Sequence, residues 1–357
     1  MRQLFASDNA SPAHPAILSA LSEIGRDHEI SYGDDPVTAE AQEKLRELFG
    51  VECGVYFVYN GTGANVGALR TMARSFEAVI CTEMAHINED EGGAPEAIGG
   101  FKLLGVGRSD GRLLPEDITP FLARRGFEHT NQPAAISLTQ ATEVGTVYWP
   151  EDLARLVSSA HEVGLTVHMD GARIANAAAA VWERAQVAGR DAHLTPREAL
   201  RAVTVDSGID VLSFGATKNG LLFGEAVVFF NRELEASFRF FRKQTTQLHS
   251  KMRYISAQFT RYLQDDLWME NALRANRLAR ELSAGLSEIP GYRVALPTEA
   301  NGVFVTVPPE AIAPLQTEFG FYLWNAAENL ARLMVSWDTT EATIAAFLER
   351  ARTIPSR

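Results

Sequence analysis

The chain has 357 residues, 46% of them hydrophobic and 22% charged, a length and balance that fit a large α/β domain with a smaller companion. Its 33 Lys and Arg face 45 Asp and Glu, and the net charge of −12 repels phosphate backbones and anionic membrane surfaces, so neither nucleic acid nor membrane is an expected partner. No apolar run approaches the roughly 18 residues of a membrane span, the N-terminus from Met1 to Asn9 has no apolar leader, and Cys53 and Cys81 have neither metal-ligand spacing nor a secretory context; the expectation is a cytoplasmic protein with unbridged thiols and no metal.

Asp34-Asp35-Pro36 predicts a helix start, with a carboxylate cap and proline in the first turn. Ala41, Leu45, Leu48 and Phe49 follow at helical spacing, Glu40 and Lys44 pair along one face, and Gly50 supplies the stop. Residues 55–59 read as a buried strand, after which Asn60-Gly61-Thr62-Gly63-Ala64-Asn65 opens a second helix running through Leu69 and Met72. Short apolar strands recur at 79–81, 102–106, 134–138, 165–169, 211–214 and 226–230, separated by helical segments. That alternation predicts a mostly parallel, doubly wound sheet. The stretch 253–286 reads as helix and precedes strands at 292–296, 303–307 and 333–337, so the expected organisation is a large α/β domain over 1–245 and a smaller α+β domain over 246–357.

The chemistry concentrates where these strands end. Val167-His168-Met169-Asp170-Gly171-Ala172-Arg173 and Asp210-Val211-Leu212-Ser213-Phe214-Gly215-Ala216-Thr217-Lys218 each place a charged residue at the C-terminal end of an apolar run, where an α/β sheet opens its crevice. One end offers a carboxylate and the other an amine. Pyridoxal phosphate chemistry needs both: an acid beside the pyridine nitrogen and a lysine to hold the aldehyde as a Schiff base. Asn60-Gly61-Thr62-Gly63 follows a strand and starts a helix, so main-chain N–H groups and the helix dipole can cradle one phosphate. His86 follows the run Ile80-Cys81-Thr82-Glu83 and can stack on a flat ring or move a proton, with Glu91 as its partner. Arg332, ahead of an apolar run, offers a guanidinium for an α-carboxylate. Taken singly, each has an ordinary reading as a turn, a solvated charge or a surface histidine; together they outweigh it.

Phe5-Ala6-Ser7-Asp8-Asn9, Tyr32-Gly33-Asp34-Asp35, Asn60-Gly61-Thr62, Ala85-His86, Thr139-Gln140-Ala141-Thr142-Glu143-Val144-Gly145, the Asp170-Gly171-Ala172-Arg173 segment, Thr217-Lys218-Asn219-Gly220 and Ser250-Lys251-Met252-Arg253 resemble the low-specificity L-threonine aldolases, a group also similar to phenylserine aldolases. The resemblance runs in order over nearly the whole chain. It implies an aspartate aminotransferase-like large domain and pyridoxal 5'-phosphate as cofactor. It also implies Lys218 as the Schiff-base lysine, Asp170 as the pyridinium partner and His86 as the stacking residue. Asn60, Gly61 and Thr62 would hold the phosphate, Arg173 and Arg253 would also lie beside the cofactor, and Ser7, Arg173 and Arg332 would hold the substrate carboxylate. Tyr32 and Arg253 would approach the site from a neighbouring subunit of a homotetramer built from dimers, and His129 would sit near the substrate hydroxyl. Asn60 stands where many relatives have serine, a change of little weight if main-chain groups bind the phosphate.

The expected reaction is retro-aldol cleavage of L-threonine, L-allo-threonine and related β-hydroxy-α-amino acids to glycine and an aldehyde, with His86 as the base. A phenylserine aldolase or a β-eliminating lyase is the alternative on the same scaffold. From another class, a nucleotide-binding oxidoreductase is disfavoured by the absence of a glycine fingerprint after the first strand, and a non-catalytic binding module by the combination of Lys218, Asp170 and His86.

Overall fold

The computed structural model describes residues 4–25, 27–188 and 193–354; the leader-free reading of residues 1–3 lies outside them. Seven strands, β1 (Gly54–Val58), β2 (Glu77–Thr82), β3 (Lys102–Val106), β4 (Gln132–Thr139), β5 (Thr166–Gly171), β6 (Val211–Gly215) and β7 (Glu225–Phe229), form one sheet in the order β1-β7-β6-β5-β4-β2-β3. β2 to β6 run parallel, and β7 is antiparallel to both of its neighbours. The Val, Ile, Leu and Phe runs of the central strands are buried on both faces, as a sheet covered by helices on each side requires. A second, antiparallel sheet joins β8 (Arg293–Val294), β9 (Gly302–Thr306), β10 (Tyr322–Asn325) and β11 (Leu330–Met334) in the order β10-β11-β9-β8. The expected doubly wound α/β fold with a smaller α+β companion is the fold observed.

Local chemistry explains the helix limits. In the helix Pro36–Phe49 the Asp35 carboxylate accepts the Thr38 N–H at 2.8 Å, and Gly50 closes the other end at φ 65°, where a side chain would be strained. The stretch expected as one helix from 253 is two, Arg253–Leu263 and Leu267–Ser287. The break falls at Asp265 and Asp266, whose φ values of 56° and 52° suit a short polar residue.

Among the described residues three hydrophobic clusters form, and the two that meet at the helix Leu267–Ser287, one against the large sheet and one against the small, each draw residues from both sides of position 245. Ile255, Phe259 and Tyr262 pack with Phe57 and Phe214 in the core of the large sheet. The helix Leu267–Ser287 belongs to both cores: Trp268, Met269 and Ala272 enter the first, Leu278, Leu282 and Leu286 the second. Phe5, near the start of the chain, packs in the second core and exchanges main-chain hydrogen bonds with Gly320 and Met334, each at 2.8 Å. Each such large apolar side chain contributes about 2 kcal/mol on burial. Among the described residues no helix is long and apolar enough to cross a membrane.

Candidate active site

The parallel strands deliver their last residues to one edge of the sheet. β5 ends in Asp170-Gly171, and β6 ends in Gly215, from which the turn Thr217–Asn219 carries Lys218. β2 leads to the short helix His86–Glu89, and β1 to Asn60 at the cap of the helix Gly61–Met72. Because β7 runs the other way, its first residue, Glu225, pairs with Gly215 at this same edge.

Two adjoining cavities occupy the edge. The first, about 360 Å³, is lined by Asn60, Gly61, Thr62, His86, Asp170, Lys218 and Glu225 among others. The second, about 170 Å³, adds Ser7, Glu143, Arg173, Trp324 and Arg332, and shares Gly61, His86, Asp170 and Lys218 with the first. Nine residues expected at the site, Ser7, Asn60, Gly61, Thr62, His86, Asp170, Arg173, Lys218 and Arg332, are thus brought together.

Their surroundings assign chemistry. Asp170 accepts the Ala172 N–H at 2.9 Å through one oxygen and the Asn65 amide at 2.8 Å through the other. That Asn65 amide also donates to Glu91, at 2.8 Å, and Glu91 meets His86 Nδ1 at 3.0 Å, so the expected partnership of His86 and Glu91 is present. The hydrogen bond with Glu91 is the chief cause that raises the His86 pKa above its ordinary value, reinforced by Asp170 and opposed by burial and Lys218. With Nδ1 turned to Glu91, Nε2 is the nitrogen left to accept a proton. Burial, then the nearby Arg173 charge, lowers the Lys218 pKa, which favours a free amine.

Asn60 Oδ1 accepts the Gly63 N–H at 2.8 Å, leaving the N–H groups of Gly61 and Thr62 as first-turn donors with no acceptor in the helix. Arg332 lies within β11, its Nε buried without a hydrogen-bond partner, and burial lowers its pKa. Ser7 Oγ accepts from Asn9 N–H at 3.1 Å and keeps its own proton to donate.

Four of the expected residues have other partners within this chain. Arg173 is already engaged: Nε and Nη2 donate to the two oxygens of Asp8 at 2.7 and 2.9 Å, in a buried bidentate pair. Burial acts to raise the Asp8 carboxyl, but Arg173, Lys218 and the Asn301 amide hold it below the usual carboxylate range. Within its own chain His129 is not at the cleft; it stands on an exposed turn against Phe127, its side chain 72% exposed beside Glu128. Tyr32 lines a separate cavity of about 520 Å³ with Arg239, Arg242 and Lys243. Arg253 opens the helix Arg253–Leu263 with its guanidinium over the Tyr254 ring, 5.2 Å from the centroid.

Sequence reasoning gave no role to Asn65, Glu143, Glu225 or Trp324. Glu143 is buried, accepts the His86 N–H at 3.0 Å and the Thr139 hydroxyl at 2.6 Å, and its pKa is raised by burial. Glu225 accepts the Ala216 N–H at 2.7 Å, and burial pushes it up to about 7. A carboxylate opening the apolar run 226–230 was the available signal for Glu225. Among the described residues no cluster of His, Cys, Asp and Glu could hold a metal ion.

A lysine and an aspartate flanking one cavity, with a helix N-terminus at its end, could hold a phosphate-bearing pyridine ring through a Schiff base. The β-eliminating lyase family model matches residues 5–308, and the chain belongs to that family. The similarity then narrows. The low-specificity L-threonine aldolase of Pseudomonas aeruginosa is 43% identical over 338 residues, spanning 94% of this chain and 93% of the relative. That of Pseudomonas sp. (strain NCIMB 10558) is 42% identical over 344 residues, 96% of this chain and 95% of the relative. The threonine aldolase structure of Leishmania major superposes with a TM-score of 0.89 at 31% identity, covering 98% of each chain.

Proposed function

We propose that this lyase cleaves L-threonine, L-allo-threonine and related β-hydroxy-α-amino acids to glycine and an aldehyde, with pyridoxal 5'-phosphate as cofactor. The observation that carries the reading is the placement of Asp170 and Lys218 on one cavity that ends at the N-terminus of the helix Gly61–Met72. The residues fit the cofactor. A Cβ on Gly61 would meet nothing within 4 Å, so the cradle is open where a phosphate must approach the main chain. Gly61 and Thr62 would hold the phosphate, Asp170 the ring nitrogen, Lys218 the aldehyde carbon, and His86 would lie against the ring.

When bound, the cofactor supplies a sink for the electron pair of the breaking Cα–Cβ bond. Arg332 and Ser7 bind the substrate carboxylate and so fix which bond at Cα is aligned for cleavage. Arg173, paired with Asp8, lines the cavity beside them. His86 Nε2 takes the proton of the β-hydroxyl as the aldehyde carbonyl forms. That proton balances the one Cα gains as glycine is completed. Asn65 keeps Asp170 and Glu91, two like charges, on one amide. The resemblance further supports a cytoplasmic homotetramer, with Tyr32 and Arg253 reaching a neighbouring subunit's site and His129 acting near the substrate hydroxyl, to be tested by light scattering and by His129→Ala.

Lys218→Ala should abolish both threonine turnover and the visible absorption of the cofactor-loaded protein; wild-type turnover in that variant overturns the reading. Acetaldehyde and glycine are the expected products from threonine. Ammonia and a keto acid would instead mark an eliminating enzyme.

A further inference from the structure

We infer that Trp324 is a specificity-determining residue, the wall against which the β-substituent of the substrate packs as it passes from the inner cavity to an outer one. This rests on the reaction proposed above. The inner cavity presents Arg332 to the carboxylate, Lys218 at the amine side and His86 to the hydroxyl, so the remaining substituent on Cβ needs a fourth direction. One is open. An outer cavity of about 440 Å³, lined by Glu83, Met84, Glu89, Asp90, Arg108 and Trp324, meets the inner one at Asp90 and Trp324.

Trp324 occupies this junction through a break in the small sheet. The β10–β11 register steps from Leu323↔Ala331 to Asn325↔Leu330, leaving Trp324 as the extra residue of a bulge, a device that re-aims a side chain. Its indole lies beside the Arg332 guanidinium, 5.2 Å from Cζ to the ring centroid, and Phe304 braces it edge-on at 5.5 Å and 87°. The ring supports a guanidinium whose Nε has no hydrogen-bond partner. A substrate carboxylate on Arg332 therefore arrives beside an aromatic surface, and a flat, apolar β-substituent gains from that surface what a methyl group cannot.

The test compares wild type, Trp324→Phe and Trp324→Ala with threonine and phenylserine. Trp324→Ala should raise KM for phenylserine about tenfold more than KM for threonine, a difference of about 1.4 kcal/mol, while Trp324→Phe keeps most of the discrimination. In parallel, L-phenylalanine, which carries the aryl group but no hydroxyl to lose, should quench the indole emission of the loaded wild-type protein much more than that of Trp324→Phe. An equal rise in both KM values would mean that Trp324 serves only to hold Arg332, and no rise in either would mean that it touches no substrate; both overturn the inference. Failure of the wild-type enzyme to cleave threonine would sink the proposed reaction instead.

Discussion

His86 shows how much of a residue's chemistry belongs to its neighbours. Its hydrogen bond with Glu91 raises the imidazole pKa, and a base must be unprotonated to accept the substrate's proton, so activity should climb with pH as His86 loses its own. Glu91→Gln removes the raising charge and should shift that acid limb of kcat/KM to lower pH while lowering kcat about tenfold or more. A limb that stays in place would remove His86 from the role. The residues that mark the site were legible where they terminate an apolar run: Asp170 and Lys218 announce themselves by position along a strand. Asn65, Glu143 and Trp324 do not, because their roles arise from contacts across the fold, with Glu91 and Asp170, with the His86 main chain and with Arg332 respectively. The same blindness applied to Arg173, whose guanidinium was read without the Asp8 that occupies it.

At the scale of elements, the turn from β1 into the helix Gly61–Met72 has two tasks that mutation can separate. Asn60 caps the helix with its side chain, while the main chain of Gly61 and Thr62 is left to face an anion. Asn60→Ala should cost about 1 kcal/mol of stability and weaken cofactor binding, whereas Asn60→Ser, which keeps a capping oxygen, should stay near wild type in both thermal melting and cofactor titration. If Asn60→Ser behaved like Asn60→Ala, the amide itself would have to contact the ligand. The central strands of the large sheet were legible because doubly covered strands read as unbroken apolar runs. β10 escaped notice and β11 starts three residues before the strand expected at 333–337, since Arg332 interrupts its pattern and a bulged edge strand has none to read.

For the molecule as a whole, the Asp8–Arg173 pair joins the N-terminal segment, which packs in the smaller core through Phe5, to the end of β5 in the larger one. The Asp8 carboxyl titrates lower folded than unfolded, so its contribution is present above about pH 4 and is lost as pH falls through the folded value. Asp8→Asn leaves a buried guanidinium uncompensated and should cost about 3 kcal/mol, read as a lower melting temperature and less dependence of stability on acid. With the helix Leu267–Ser287 shared between both cores, calorimetry should give one endotherm in wild type and variant alike. Two separate transitions would show that the cores melt independently.

β7, the strand that runs against the rest of the large sheet, puts a constraint on evolution. Lys218 and Glu225 sit on the two limbs of one return loop, and Glu225 is held opposite Gly215 by strand pairing. Side chains alternate along a strand, so a one-residue slip of β7 against β6 would turn Glu225 away from the crevice and swing Ala226 in. The return loop therefore has two duties, to carry Lys218 and to deliver β7 in this register.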